Sequence, residues 1–198
     1  MTDRPIPALG PEVPSRGGGI LRLFGRAVLA ALGWRIEGEI PNVPRCVVIV
    51  APHTSNWDFV IGLATLLALD LRVTWLGKHQ IFRAPFGRLW RALGGVAVDR
   101  SAPEGVVEQA AAVLAPPRST FLAVAPEGTR RKVGRWKSGF WRIARAAGVP
   151  IVPVAFDYRT RAVVFLGEPF TPTADYAADL AALQRRFHAD MGRNPGNY

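Results

Sequence analysis

Two short stretches of the chain gather residues able to do chemistry. The first reads Ala51-Pro52-His53-Thr54-Ser55-Asn56-Trp57-Asp58. A free imidazole has a pKa of about 6.5, so His53 can accept a proton at cellular pH. It serves as a base only if its tautomer is fixed and the imidazolium it forms is stabilised. A carboxylate on the other ring nitrogen does both. Asp58 is the candidate. Five residues along one helix turn through about 500°, a net of roughly 140°, which would send the two side chains apart. They meet only if His53 lies in a turn before the helix and Asp58 in the first helical turn. Pro52 and the Thr-Ser-Asn run favour such a turn. A structural alternative stands beside this one. Ser55-x-x-Asp58 matches a capping box, so Asp58 caps a helix and His53 is a satisfied turn histidine. No G-x-S-x-G elbow accompanies the motif. The simplest chemistry has His53 deprotonate a substrate hydroxyl, which then attacks an acyl carbonyl directly.

The second stretch reads Ala125-Pro126-Glu127-Gly128-Thr129-Arg130. Gly128 permits a tight turn or a close backbone approach. Arg130 offers a fork of donors that suits phosphate. Arg131, Lys132, Arg135 and Lys137 make its surroundings strongly cationic. Glu127 is a carboxylate that hydrogen-bonds an acceptor hydroxyl or holds Arg130 in place. The alternative is a solvated basic loop with a structural Glu–Arg pair.

The elements that must position these stretches alternate along the chain. Residues 46–51, 72–77, 95–98, 119–125, 150–156 and 162–166 read as strands. Residues 56–69, 104–114, 138–147 and 175–191 read as helices. This alternation predicts a single α/β domain over residues 20–198, with a mixed, mostly parallel sheet flanked by helices. His53 and Glu127 each follow a strand, where ligand groups gather in open α/β sheets. Residues 1–19, rich in Pro and Gly, read as a flexible N-terminal arm. Residues 20–34 follow as an amphipathic helix. Ile20, Leu21, Leu23, Phe24, Ala27, Val28, Ala31, Leu32 and Trp34 share one broad face, with Arg22 and Arg26 opposite. It is a surface helix packed on the core, an interfacial membrane helix, or both if it bridges core and bilayer.

The 198 residues suffice for one core, and the formal net charge is +10. Of the 25 basic residues only Lys78, Lys132 and Lys137 are lysine, leaving 22 Arg. Such an excess implies an anionic partner: nucleic acid, anionic lipid or a phosphorylated substrate. A nucleic-acid-binding module lacks support, since no zinc-finger or aromatic RNA-binding pattern is present and Arg is spread along the chain. Cys46 is the single cysteine, which excludes an internal disulfide and a cysteine zinc site. His53, Asp58 and His79 have no metal-ligand spacing. No signal peptide and no apolar run of about 18 residues occurs. The spacing of Phe82, Phe86 and Trp90 suits an acyl tunnel or a lipid-facing patch, though core packing explains most of the aromatic residues.

His-x-Ser-x-x-Asp at 53–58, followed some seventy residues later by Glu-Gly-Thr-Arg at 127–130, resembles the glycerolipid acyltransferase family typified by lysophosphatidic acid acyltransferase. Between them, Lys78, Phe82, Pro85, Gly87, Gly94 and Val98-Asp99-Arg100 look like that family's second block. Val149-Pro150-Ile151-Val152-Pro153-Val154 resembles its fourth. The four blocks cover roughly residues 46–160. The resemblance implies His53 as general base and Asp58 as its orienting carboxylate. It implies that Glu127, Gly128, Thr129 and Arg130 bind the acceptor, with Lys78 and Arg100 as further anion contacts. It also implies an acyl-CoA or acyl-carrier-protein donor and no metal or other cofactor. The acceptor is then a lysophospholipid, lysophosphatidate first and another lysolipid such as a lyso-aminolipid second. A thioesterase or hydrolase using the same pair on water remains the alternative. Attachment is expected to be peripheral, at an anionic membrane surface on the cytoplasmic face of the cell membrane, with no nucleic acid partner.

Overall fold

The computed structural model describes residues 6–83, 85–98 and 103–198, with the backbone alone at Lys78, Val98, Pro103 and Glu104. The strands are β1 (Arg35–Glu37), β2 (Arg45–Ala51), β3 (Val73–Lys78), β4 (Gly95–Val98), β5 (Thr120–Val124), β6 (Ile151–Asp157) and β7 (Ala162–Phe165). They form one sheet in the order β1-β7-β6-β2-β5-β3-β4. From β6 to β4 every pairing is parallel. β7 runs antiparallel to β6, and β1 runs parallel to β7. The expected mixed, mostly parallel sheet is therefore present.

The helices are α1 (Gly19–Leu32), α2 (Trp57–Ala68), α3 (Gly87–Ala92), α4 (Pro103–Val113), α5 (Gly139–Ala147) and α6 (Tyr176–Gln184). Period-2 alternation in β2 explains the layers. Cys46 and Val48 face a cluster shared with Leu29 of α1 and with Ile61 and Ala64 of α2. Val47, Ile49 and Ala51 face a second cluster with Ala110, Phe140, Ile143 and Leu183 from α4, α5 and α6. Both faces of the sheet are covered, which is why its central strands read as unbroken apolar runs.

Two expectations need correction, and the segment 1–19 makes packing contacts over its described part. Val13 is buried, Ser15 bridges to Leu71, and the Arg16 guanidinium donates to the carbonyls of Leu71 and Leu93. Asp70 accepts from the backbone N–H groups of Gly17 and Gly18, so polar anchoring does what apolar content could not.

The predicted helix at 20–34 stops at Leu32. Gly33 takes φ +68°, and the Gly33 and Trp34 N–H groups bond back to the carbonyls of Ala30 and Leu29. This glycine cap frees Arg35–Glu37 to form the unforeseen edge strand β1. The broad apolar face of α1 is also divided. Gly25 and Leu29 pack inward, and a Cβ on Gly25 would lie 2.4 Å from the Ala68 nitrogen of α2. Ile20, Leu23 and Phe24 point outward, Ile20 with 84% of its surface exposed.

The last helix is shorter than the predicted 175–191. It ends at Gln184, Phe187 turns in against Trp136 with ring centroids 5.4 Å apart, and a 3-10 turn follows at Ala189–Met191. His188 is exposed just before that turn.

Candidate active site

Parallel pairing puts the C-terminal ends of β2, β5, β6 and β3 on one edge of the sheet. Ile49 is level with Val124 and Ala51 with Ala155. The chain leaves β2 into residues 52–56, leaves β5 into 125–130 and leaves β6 at Asp157 and Tyr158. The two stretches read from the sequence therefore meet because their strands are neighbours, although 74 residues separate His53 from Glu127.

His53 lies in the turn and Asp58 in the first turn of α2, the arrangement in which they can approach. His53 Nδ1 lies 3.0 Å from Asp58 Oδ2. The carboxylate is fully buried and the imidazole 18% exposed. The same Asp58 oxygen accepts the Ser55 N–H at 2.9 Å, while Ser55 Oγ accepts the Trp57 N–H at 3.2 Å. The structural and chemical readings of Asp58 thus coexist: one carboxylate organises the turn and holds the ring. Its other oxygen, Oδ1, accepts the Tyr158 hydroxyl at 2.6 Å. Burial and the adjacent Asp58 push the Tyr158 hydroxyl well above the usual phenol range, so it stays protonated as a donor. With Nδ1 committed to Asp58, Nε2 is the ring nitrogen free to exchange a proton with a bound group.

Glu127 turns inward to the His53 backbone rather than toward Arg130. Its side chain is buried, with 2% of the residue exposed, and both oxygens accept the His53 backbone N–H at 3.1 and 3.0 Å. It forms no ion pair with Arg130 among the described residues. It ties the Glu-Gly-Thr-Arg turn to the His53 turn. Burial raises its carboxyl to about 7, the His53 N–H bond opposes that rise, and the nearby Asp58 charge adds to it.

Gly128 adopts φ +68°, where glycine is favoured, and a Cβ there would lie 3.0 Å from Lys137 Nζ. The Lys137 N–H donates to the Pro126 carbonyl, closing a loop from 126 to 137. Thr129 Oγ1 accepts the Arg131 N–H at 3.3 Å. Arg130, Arg131, Lys132, Arg135 and Lys137 are all exposed on or beside this loop. Lys78 ends β3 on the same sheet edge, its backbone level with Val98. Arg100 lies outside the described residues.

Sequence reasoning missed three contributors. Tyr158 had a usable signal, being a polar residue just past a strand that flanks β2. Asn194 and Gly192 had none. Asn194 donates from Nδ2 to the Thr54 carbonyl at 2.9 Å and from its backbone N–H to Thr54 Oγ1 at 3.2 Å. Gly192 sits so close that a Cβ would lie 3.0 Å from Thr54 Oγ1 and 3.2 Å from Pro52 Cβ. Tyr198 comes near enough for Glu127, after burial, to help raise its hydroxyl to about 12.

A buried aspartate thus holds a turn histidine at the C-terminal edge of a mostly parallel sheet, beside an Arg-rich loop, in an α/β protein. Residues 35–157, well over half of the chain, match the family model described as Acyltransferase, and the chain belongs to that family. It is 29% identical over 139 residues to the 1-acyl-sn-glycerol-3-phosphate acyltransferase of Pseudomonas aeruginosa, covering 66% of this chain and 51% of that one. It is 38% identical over 145 residues to the enzyme of that name from Cocos nucifera, covering 67% and 46%. The chain therefore spans about half the length of these curated relatives. The fold is similar to the crystal structure of the 1-acyl-sn-glycerophosphate (LPA) acyltransferase PlsC from Thermotoga maritima. The TM-score is 0.64 at 21% identity, over 84% of this chain and 74% of that one.

Proposed function

We propose that the protein is an O-acyltransferase that moves a fatty acyl group from a thioester to the free hydroxyl of a lysophospholipid, lysophosphatidate giving phosphatidate. The observation that carries this reading is the 3.0 Å contact of His53 Nδ1 with buried Asp58, held beside the basic loop by Glu127. His53 Nε2 accepts the proton of the acceptor hydroxyl as its oxygen attacks the thioester carbonyl. Asp58 stabilises the imidazolium, and the carbon–sulfur bond breaks as the proton passes to the departing thiolate. Bonds from Tyr158 and Ser55 keep Asp58 from turning away, so little reorganisation accompanies the step. Gly128, Thr129 and Arg130 supply the acceptor's phosphate site, with Lys78 and Arg100 as further anion contacts. The donor is acyl-CoA or acyl-carrier protein, and the reaction uses no metal or other cofactor.

The acceptor and the acyl chain reach this site from a membrane surface. α1 is 14 residues long, roughly 21 Å at 1.5 Å per residue, against a hydrocarbon core of about 30 Å. No helix among the described residues is long and apolar enough to cross a membrane. The outward Ile20, Leu23 and Phe24 of α1 instead suit shallow insertion into the cytoplasmic face of an anionic membrane. Trp57, next to Asp58, and Phe86 and Leu89 at α3 are further exposed apolar side chains.

The test is a panel of lysolipids incubated with purified protein and one acyl-CoA, read by mass spectrometry. Acylation of lysophosphatidate above all others is the expected outcome. Preferential acylation of a lyso-aminolipid would replace the acceptor, and release of free fatty acid alone would make the protein a thioesterase.

A further inference from the structure

One cation near the site belongs to none of the four blocks. Arg193 lies in the segment after the 3-10 turn at Ala189–Met191, between two residues pinned to the catalytic turn. On one side Gly192 packs against Pro52 and Thr54. On the other Asn194 makes its two hydrogen bonds to Thr54. The Met191 carbonyl also accepts the Tyr158 N–H at 2.9 Å, fixing the approach to this segment. The backbone at Arg193 therefore has little freedom relative to His53.

Its side chain is placed as well. The guanidinium carbon lies 5.4 Å from the centroid of the Trp57 ring, the residue next to Asp58. Stacking on a ring face holds a guanidinium by its plane and leaves its edge donors open. Those donors are unclaimed. Arg159 and Arg35 are spent on Asp157, Asp190 and Glu37, whereas Arg193 forms no ion pair among the described residues. The positive charge also acts on the site, since it opposes the rise imposed on the Tyr158 hydroxyl by burial and Asp58. A planar cation on the Trp57 ring, one residue from Asp58 and without an ion pair among the described residues, can read a phosphate in two-pronged fashion.

We propose that Arg193 is an anion-binding residue of this site, holding a phosphate group of a substrate whose reacting atoms lie at His53. This rests on the acyl-transfer reading for the identity of the substrates, but not for the binding itself. The phosphate has two possible sources of the same chemistry: the acceptor's phosphomonoester, or the phosphate of the donor's thiol-bearing arm.

The experiment compares the wild type with Arg193→Ala and Arg193→Lys, measuring KM for lysophosphatidate and for acyl-CoA separately. Gly196→Ala, at a glycine with open space around it, is the control. The expected result is a rise of about 10- to 100-fold in one of the two KM values for Arg193→Ala, with kcat within about threefold. Arg193→Lys should fall between. If the lysophosphatidate KM moves, a monoacylglycerol acceptor without phosphate should be used equally by wild type and variant. If the acyl-CoA KM moves, the donor is the source. Calorimetric titration with glycerol 3-phosphate and with coenzyme A reads the same contact without turnover. A protein that binds either one through Arg193 yet acylates nothing would refute the acyl-transfer reading and keep the site. Unchanged KM values and unchanged binding in a folded Arg193→Ala protein would overturn the proposal. So would a fall in kcat alone, which would mean that Arg193 acts through Trp57 or Tyr158.

Discussion

The turn at 52–58 and the loop at 126–137 lie side by side and are built on opposite principles. In the turn, Asp58 is used on both oxygens, the His53 N–H on both oxygens of Glu127, and Thr54 on its carbonyl and hydroxyl. Bonds arrive from α2, the end of β6, the end of β5 and residue 194. The loop is held at its ends by the Lys137-to-Pro126 backbone bond, by Glu127 on the His53 N–H and by buried Trp136, while the Arg and Lys side chains along it stand in solvent. The difference fits the roles proposed for each. A proton transfer loses rate steeply when the base is misplaced, so its geometry is fixed in advance. Phosphate recognition by exposed guanidinium groups tolerates movement, because charge acts at a distance and the fork closes on contact. Changes in the turn should therefore lower kcat, and changes in the loop should raise KM.

The largest effect should come from the base. His53→Ala is expected to lose about 10²- to 10⁴-fold in kcat with the melting temperature nearly unchanged, measured by acyl transfer and thermal unfolding. A variant that kept more than a tenth of its rate would place the base elsewhere. Arg130→Ala should come next, with the lysophosphatidate KM raised by about 10- to 100-fold, kcat little affected and salt dependence reduced. A drop in kcat without a KM change would erase the distinction between turn and loop. Tyr158→Phe removes one bond to Asp58 while keeping the ring against Trp34, where the centroids lie 4.8 Å apart. A loss of about tenfold in kcat at constant KM is expected, with roughly 1 kcal/mol of stability. Equal losses in stability and none in rate would reduce Tyr158 to a packing residue.

The smallest effect tests the tie between the two regions. Glu127 titrates at about 7 in the folded protein against 4.5 ordinarily, so between those values the folded state binds more protons than the unfolded one. Stability from this group is full below about pH 4.5 and is lost as pH rises to about 7. Glu127→Gln should flatten that decline in denaturant titrations across the window. An identical pH slope in wild type and variant would show that the buried carboxylate is not the group responsible.

Much of this was legible in the residues. Unbroken apolar runs such as Cys46–Ala51 announced buried strands, and the alternation with helical segments announced the layers. His53 and Asp58 were legible because their spacing permits contact only across a turn and a first helical turn, a local condition. Glu127 is legible as a site residue but its burial is not, since that depends on which strand neighbours β2. How the apolar face of α1 divides is not legible for a like reason: hydrophobicity marks a stripe as apolar without saying which part meets α2 and which is left bare.

The sequence by itself determined the identity of the strands other than β1, the turn that joins His53 to Asp58 and the basic character of the loop, because these depend on residues a few positions apart. Only the tertiary structure decided that Glu127 grips a backbone N–H 74 residues away, that Tyr158 completes the aspartate's hydrogen bonding, and that residues 192–194 brace Thr54 from 140 positions further on. Those contacts follow from strand order and from where the last segment runs. Neither leaves a periodic mark in the chain, since a single hydrogen bond between distant residues constrains one side chain at each end and no pattern around it.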